Sequence, residues 1–380
     1  MKFFLIAGLA ESVLNFRGAL ITALQARGFE VHVGVPSMMP GIKGDFLTDN
    51  PCRPALEAAG LVVHEIAIQR TGTSLKADLR MLMQLRQMMV QVKPDFVLGY
   101  TAKPVIYGLL AAWMARVPHR FALITGLGYA FQGGAERRAL QSIAQFLYTL
   151  ALKRAHIVFF QNGDDRQLFV KRRIVPTHVR TCVVNGSGVN LEDFKVAPLP
   201  EGPPVFLLIA RLLGDKGVRE YVEAARAVRA DMPSVRLQIV GWIDSNPDAI
   251  TQRELDGWID EGCIEYLGRL SDVRPAIAAS SVYVLPSYRE GTPRTVLEAM
   301  AMGRPVITTD APGCRQTVID GDNGFLVPVK SAAALAQAMR RFIDEPELVA
   351  RMGSRSRLIA QEKYDVHKVN DVMLGEMGIG

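Results

Sequence analysis

The chain has 380 residues, 49% of them apolar and 22% charged, which excludes a disordered chain and exceeds the size at which one core usually stops growing. The four cysteines, Cys52, Cys182, Cys263 and Cys314, are scattered, which argues against a disulfide framework or a cysteine metal site and fits a reducing compartment. The net charge of +6 is uneven: residues 1–195 hold 23 Lys and Arg against 13 Asp and Glu, and the remaining 185 hold 21 against 25, which suggests an anionic partner for the first half, such as a membrane surface, a polyphosphate or nucleic acid, with an unevenly charged solvated surface as the alternative.

The apolar start Met1–Ala10 is interrupted by Glu11 and reads as a buried strand, not a targeting segment. No run reaches the roughly 18 apolar residues that a membrane span requires. Phe3–Ala7 is the first predicted strand and Ala19–Arg27 the first helix, stopped near Gly28. Strands follow at 31–35, 60–66, 95–99, 120–124 and 157–160, with helices at 75–92, 105–116 and 139–154 between the later ones. Apolar strands alternating with helices of this length predict βα units on a parallel sheet. Residues 196–204, with Pro198, Pro200, Pro203 and Pro204, read as a linker. The alternation then restarts with strands at 205–210, 235–240, 264–267, 282–285 and 305–308. The expected organisation is a first domain over 1–195, with or without a C-terminal helix from 356–380, the linker 196–204, and a second domain over 205–355. Two doubly wound domains would face a cleft, a preferred ligand site.

Two stretches of the second domain carry chemistry. Ala210–Val218 follows its first strand and holds Arg211 and Lys216. Lys216 stands just before a helix whose N-terminus favours anions. Arg offers a planar fork and Lys a point charge, so the two can hold two phosphates. Tyr283–Ile307 reads as strand, loop, helix and strand, with Glu290 in the loop and Glu298 on the helix, eight positions apart. In open α/β sheets ligands bind beyond the carboxyl ends of the strands, which places both carboxylates at a ligand. A carboxylate can accept two hydrogen bonds from a ribose diol. The six histidines are too dispersed for a metal cluster, and no metal is expected.

The pair Glu290 and Glu298 resembles the Glu-x7-Glu signature of retaining glycosyltransferases of family 4, and Ala210–Gly217 resembles their Arg…Lys-Gly segment. Val184–Phe194 is similar to their Asn-Gly-Val-Asp…Phe turn with two residues inserted, and Asn323–Val327 to their Asn-Gly-Phe-Leu-Val strand. The resemblance covers nearly the whole chain. It implies an α/β fold of GT-B architecture, two Rossmann-like doubly wound domains facing a cleft, and a nucleotide-sugar donor bound without a metal or other cofactor. Carried over onto this chain, it implies that Arg211 and Lys216 bind the donor diphosphate, Glu290 contacts the transferred sugar and Glu298 holds the ribose. Gly291, Thr292 and Pro293 would line the sugar and phosphate pocket, with Pro293 giving no N–H. Leu267, Gly268 and Arg269 would lie near the base, and Gly241 would also bind the donor. Gly8, Asn15, Arg17, Lys103, Thr125 and Gly126 are candidates for the acceptor or the cleft, although turn formation explains Gly8 and Gly126 as well as ligand contact does. Phe16–Arg17, Pro118–Gly128 and Leu285–Gly291 narrow the resemblance to the branch that adds N-acetylhexosamine, GalNAc or GlcNAc from its UDP form, to undecaprenyl-diphosphate-linked sugars in polysaccharide assembly such as that of O-antigen.

The chain departs from that family's pattern at three places. Thr125–Gly128 stands where many members have a histidine, Leu14–Arg17 where the first loop often has a Gly-Gly pair, and Gly241–Asp244 where Gly-x-Gly is usual. Trp242 in the last segment reads equally as a core, rim or ligand residue. Leu75–Met89 has apolar positions with Lys76, Arg80 and Arg86 elsewhere on the wheel, and Lys171–Arg173 is a second basic cluster. Both could hold the protein against an anionic inner-membrane surface from the cytoplasmic side. The alternatives are a sugar-nucleotide epimerase on the same layout and a non-catalytic polyanion-binding protein. The interspersed acids and the lack of a basic–aromatic repeat argue against nucleic acid as the partner.

Overall fold

The strands are short apolar runs whose alternate residues feed two different cores, one on each face of a sheet. A computed structural model describes all residues except 38, 41–45, 48–50, 69–73, 128–137, 245 and 247, and the backbone alone at 39–40, 46–47 and 138–140. The described residues form two compact units, Met1–Ser187 with Val369–Gly380, and Gly188–Lys368.

In the first unit the strands are β1 (Lys2–Ile6), β2 (Glu30–Pro36), the small antiparallel pair β3 (Met39–Pro40) and β4 (Phe46–Leu47), β5 (Val62–Ile66), β6 (Phe96–Tyr100), β7 (His119–Ile124), β8 (Ile157–Phe160) and β9 (Arg180–Val183). The helices are α1 (Glu11–Ala26), α2 (Arg53–Ala58), α3 (Leu75–Val92), α4 (Ala102–Met114), α5 (Arg138–Leu152) and α6 (Gly163–Lys171). Seven strands make one sheet in the order β5-β2-β1-β6-β7-β8-β9, and every pairing is parallel. Phe3 and Leu5 of β1 pack in a core with α1 and the chain end, and Phe4 and Ile6 in a second core with α3, α4 and α5. That split follows from side chains alternating across a strand.

The second unit repeats the plan with β10 (Val205–Ile209), β11 (Arg236–Val240), β12 (Glu265–Tyr266), β13 (Val282–Leu285), β14 (Val306–Thr309) and β15 (Gly324–Val327). Its helices are α7 (Val218–Asp231), α8 (Gln252–Asp260), α9 (Arg274–Ala278), α10 (Arg294–Ala301), α11 (Ala332–Asp344) and α12 (Glu347–Ile359), and α13 (Val366–Glu376) carries the chain back to the first unit. The sheet order is β12-β11-β10-β13-β14-β15, all parallel. In both units the first strand of the chain lies inside the sheet and the order reverses beside it, which is the Rossmann-type winding.

The boundaries differ from the sequence expectation. Residues 188–204 belong to the second unit and are not a free linker. Val189 and Phe194 are buried in its core, and the fully buried Arg304 donates to the carbonyls of Ala197 and Pro198 at 2.9 and 2.8 Å. At the other end only 369–380 join the first unit. Residues 356–368 stay with the second, because Ile359, Ala360 and Tyr364 pack beneath α10. The first helix begins at Glu11, not Ala19, so Leu14–Arg17 are helical and form no loop.

Candidate donor site of the second unit

The order of the second sheet reverses between β10 and β13, and their carboxyl ends open the crevice where such sheets hold ligands. The segment after β10 passes Arg211 and makes a 3-10 turn at Gly214–Lys216 before α7. The segment after β13 runs through Ser287 to Glu290. The two are sewn together at Asp215, whose carbonyl accepts from Tyr288 N at 2.8 Å and Ser287 Oγ at 3.1 Å. Gly217 makes this approach possible. Its φ is +71°, and a Cβ there would lie 2.2 Å from the carbonyl oxygen of Pro286.

That junction brings Lys216 onto Glu290, with Nζ donating to Oε1 at 2.5 Å. Both side chains are mostly shielded, so solvent screens the pair less than it would a surface salt bridge. Arg211 Nη1 donates to Asp244 Oδ2 at 2.8 Å while about a third of the Arg211 side chain stays exposed. Asp244 is a partner the sequence reading did not assign. The backbone N–H of Glu290 is bonded to the Pro312 carbonyl, which fixes the loop so that its carboxylate faces Lys216.

Pro293 caps α10, and Glu298 follows on the helix. Glu298 is nine-tenths buried, and burial raises its carboxyl above the usual range while Arg294 opposes the shift. Arg294 Nε donates to Glu298 Oε1 at 2.8 Å, a second partner absent from the sequence reading. Thr295 Oγ1 and the Tyr283 hydroxyl are 2.6 Å apart, and Tyr283 donates to the Ile209 carbonyl. This ties the start of α10 to the end of β10.

Arg211, Gly241, Trp242, Arg269, Leu270 and Thr295 surround one hollow of about 160 Å³. Gly241 is where β11 must pass β10 closely, since a Cβ would lie 1.9 Å from the Ala210 carbonyl oxygen. The Gly241 N–H bonds the Gly268 carbonyl at 2.9 Å, and Gly268 has φ +72°. Leu267 and Gly268 thus support the wall that Arg269 completes. Trp242 is a rim residue at 39% exposure, with the Arg269 guanidinium 4.7 Å from its ring centroid. Glu290, Gly291, Thr292 and Pro293 follow β13, and Glu298 lies one helical turn further on.

The first unit places its candidates around the equivalent switch point, between β1 and β6. Gly8 follows β1 close to Thr101, whose Oγ1 would be 2.6 Å from a Cβ on Gly8. Thr101 holds φ +68°, a strained state for a β-branched residue. Lys103 Nζ donates to Asp78 Oδ1 at 2.7 Å, and the Tyr107 hydroxyl donates to Oδ2. Arg17 is buried on α1 with its guanidinium 5.3 Å from the Tyr100 ring centroid. Burial pushes the Tyr100 hydroxyl up to about 12, against the pull of its Ser12 bond and of Arg17. Asn15 is exposed on α1. Thr125 and Gly126 follow β7 and are half-buried, while Gly128 lies outside the described residues. Among the described residues, no helix is long and apolar enough to cross a membrane.

Residues 16–186 match the family model "Glycosyl transferase 4-like domain" and residues 203–345 match "Glycosyl transferases group 1". The chain is 27% identical over 362 residues to the N,N'-diacetylbacillosaminyl-diphospho-undecaprenol alpha-1,3-N-acetylgalactosaminyltransferase of Campylobacter jejuni, covering 92% of this chain and 91% of that one. It is also 27% identical over 288 residues to the UDP-Gal:alpha-D-GlcNAc-diphosphoundecaprenol alpha-1,3-galactosyltransferase of Escherichia coli, covering 72% and 73%. Among solved structures it resembles the sucrose-phosphate synthase of Thermosynechococcus elongatus, with a TM-score of 0.78, 20% identity and coverage of 100% and 98%. Anabaena HepE in complex with UDP and glucose gives 0.78 at 18% identity, covering 100% and 99%. With the two matched domains in this order over most of its length, the chain belongs to the group 1, family 4-like glycosyltransferases and has their GT-B fold.

Proposed function

We propose that this glycosyltransferase moves an N-acetylhexosamine, GalNAc or GlcNAc, from its UDP form to an undecaprenyl-diphosphate-linked sugar with retention of the anomeric configuration. It would work as a peripheral protein on the cytoplasmic face of the inner membrane, in assembly of a cell-surface polysaccharide such as O-antigen. The observation that carries the reading is the meeting of Lys216 and Glu290 at the switch point of the second sheet, on the same β10–α7 segment that carries Arg211, which is paired with Asp244. The acceptor class is supported by relatives whose printed substrates are diphospho-undecaprenol-linked sugars. The donor class is supported by the fold of HepE, which was solved with UDP and glucose.

In this mechanism the donor diphosphate takes Arg211 and Lys216 as its counter-charges. The bond from the anomeric carbon to the phosphate oxygen breaks, and positive character builds on the sugar ring. The acceptor hydroxyl attacks from the same face, its oxygen bonds the anomeric carbon, and its proton passes to the departing phosphate oxygen. UDP leaves with that proton. Glu290, held by Lys216, would contact the sugar hydroxyls. Glu298, oriented by Arg294, would hold the ribose, and Trp242 and Arg269 would border the base. Gly291 and Thr292 would line the phosphate pocket. Two fixed cations and the start of α7 supply charge stabilisation where another enzyme would use Mg²⁺, so transfer should persist in a chelator. Gly8, Arg17, Lys103, Thr125 and Gly126 would meet the acceptor.

The deciding experiment incubates the protein with UDP- and GDP-linked sugars, with and without undecaprenyl-diphosphate-linked acceptors, in a chelator. The expected product gains one N-acetylhexosamine in α linkage, from the UDP donor only and with the lipid-linked acceptor only. An inverted linkage, a requirement for added metal, or equal use of GDP-sugars would overturn the corresponding part of the proposal.

A further inference from the structure

Isolated exposed apolar side chains are ordinary on a protein surface and need no explanation. On α5 they are not isolated. Ile143, Phe146 and Leu150 are 57%, 66% and 40% exposed. Their i, i+3, i+7 spacing puts them within about 60° of arc on one side of the helix. The opposite side of α5 is spent on the unit's own core, through the buried Tyr148, Ala151 and Leu152. The outward line continues at its C-terminal end to Lys153 and Arg154. The Arg154 guanidinium lies over the Trp113 ring, 4.1 Å from its centroid, and Trp113, at 44% exposure, is followed by the exposed Met114 at the end of α4. One outer surface therefore carries aliphatic, aromatic and cationic groups together.

The charge pattern says what covers it. Residues 137–154 hold four cations, Arg137, Arg138, Lys153 and Arg154, and no acid. Between Asp95 and Asp164 there is a single acid, Glu136, against seven cations. A protein partner would have to match an apolar stripe ending in unopposed positive charge. An anionic bilayer matches it directly, with apolar side chains in the acyl boundary, cations at the headgroups and tryptophan at the interface. With 15 residues α5 is about 22 Å long, short of the roughly 30 Å hydrocarbon core, so it suits lying on the surface.

The geometry points to the outer face of α5 as the membrane-docking surface of this protein, with Ile143, Phe146 and Leu150 inserted and Lys153 and Arg154 at the phosphates of anionic lipid. This deepens the proposed use of a lipid-linked acceptor and rests on that reading. It adds α5 to the two basic features that the sequence pattern named, Leu75–Met89 and Lys171–Arg173, and makes α5 the main anchor. On α3 the exposed Leu75, Leu79 and Met83 share their helix with Asp78, which is committed to Lys103 and Tyr107 inside the unit.

The test is flotation of the 380-residue chain with vesicles of phosphatidylglycerol and phosphatidylcholine, against vesicles of phosphatidylcholine alone, at low and high salt. Wild type should float with the anionic vesicles and be released by salt. The variant Ile143→Ser/Phe146→Ser/Leu150→Ser should bind at least tenfold more weakly, with an unchanged thermal midpoint showing that it is folded. Leu75→Ser/Leu79→Ser/Met83→Ser should keep most of the binding. The assay contains no sugar, so it can succeed or fail independently of the transferase reading. Undiminished binding by the α5 variant, larger loss in the α3 variant, indifference to lipid charge, or a wild-type dimer that the α5 variant makes monomeric would each overturn the assignment.

Discussion

Lys216 is held by Glu290 at 2.5 Å and stands one residue before the glycine that starts α7. Its ammonium is therefore fixed in advance, and in the proposed mechanism a charge fixed in advance would stabilise the leaving group without reorganisation. Lys216→Ala should lower kcat by roughly 10²–10³-fold, equivalent to about 3–4 kcal/mol, with a smaller effect on donor KM. Steady-state transfer assays measure the split, and near wild-type turnover would remove Lys216 from the mechanism. Gly217→Ala should damage the same site through the backbone. The new Cβ would meet the Pro286 carbonyl at 2.2 Å in a positive-φ residue, costing about 2 kcal/mol or more, visible as a lower urea midpoint together with lost transfer. The placement of Arg211, Lys216, Glu290 and Glu298 beyond the strands of the second sheet was legible in the sequence, because each follows an apolar strand within one βα unit. Asp244 and Arg294 were not read as partners. The bond from Arg211 to Asp244 spans 33 residues and depends on how β10 and β11 pair. The one from Arg294 to Glu298 follows ordinary i, i+4 helical spacing, but nothing in the sequence marked Glu298 as buried.

At the scale of elements, the segment read as a linker is a strap. Arg304 has no exposed surface and donates to five carbonyls, those of Ile277, Ala197, Met302, Pro198 and Ala278. Burial lowers its guanidinium to about 10, so it is still charged at neutral pH. One planar fork thus joins the proline-rich entry of the second unit to the ends of α9 and α10. Arg304→Met should destabilise that unit by about 3 kcal/mol or more, because several buried carbonyls lose a charged donor at once. Arg304→Lys should recover little, since a point charge cannot reach the same set. Urea unfolding of the three proteins checks the order, and a methionine variant as stable as wild type would refute the strap. The βα alternation, the parallel sheets and the restart after 204 were all legible, because buried strands write apolar runs between helical patterns. The strap was not, since proline-rich composition signals irregular backbone without saying what it packs on. The early start of α1 was missed for a related reason. Arg17 looks like a loop cation in sequence, whereas it is buried against Tyr100 on a helix.

Across the whole molecule the two units share one winding order but differ in chemistry. Five of the six histidines lie in the first unit. His32 of β2 and His64 of β5 meet across adjacent strands, Nδ1 to Nε2 at 2.9 Å, and both rings stack against Phe4. Burial lowers both imidazoles, further helped by Lys2 at His32 and by His32 at His64, with Glu30 opposing the shift at His32. His156 is lowered as well, first by burial and then by Arg120 and His119. A folded imidazole that resists protonation adds no penalty above the unfolded value of about 6.5. Below it the unfolded chain binds protons that the folded unit refuses, and stability falls as pH falls. The second unit has only His367, so acid should loosen the first unit before the second. Hydrogen exchange at about pH 7.5 and 5.5, corrected for intrinsic rates, should show protection lost in β2 and β5 while β10 and β11 hold. His64→Phe removes one of the two facing bases and keeps a ring on Phe4, so it should flatten the difference. Equal loss in both sheets, or an unaltered pH dependence in the variant, would show that the paired imidazoles do not set the acid limit.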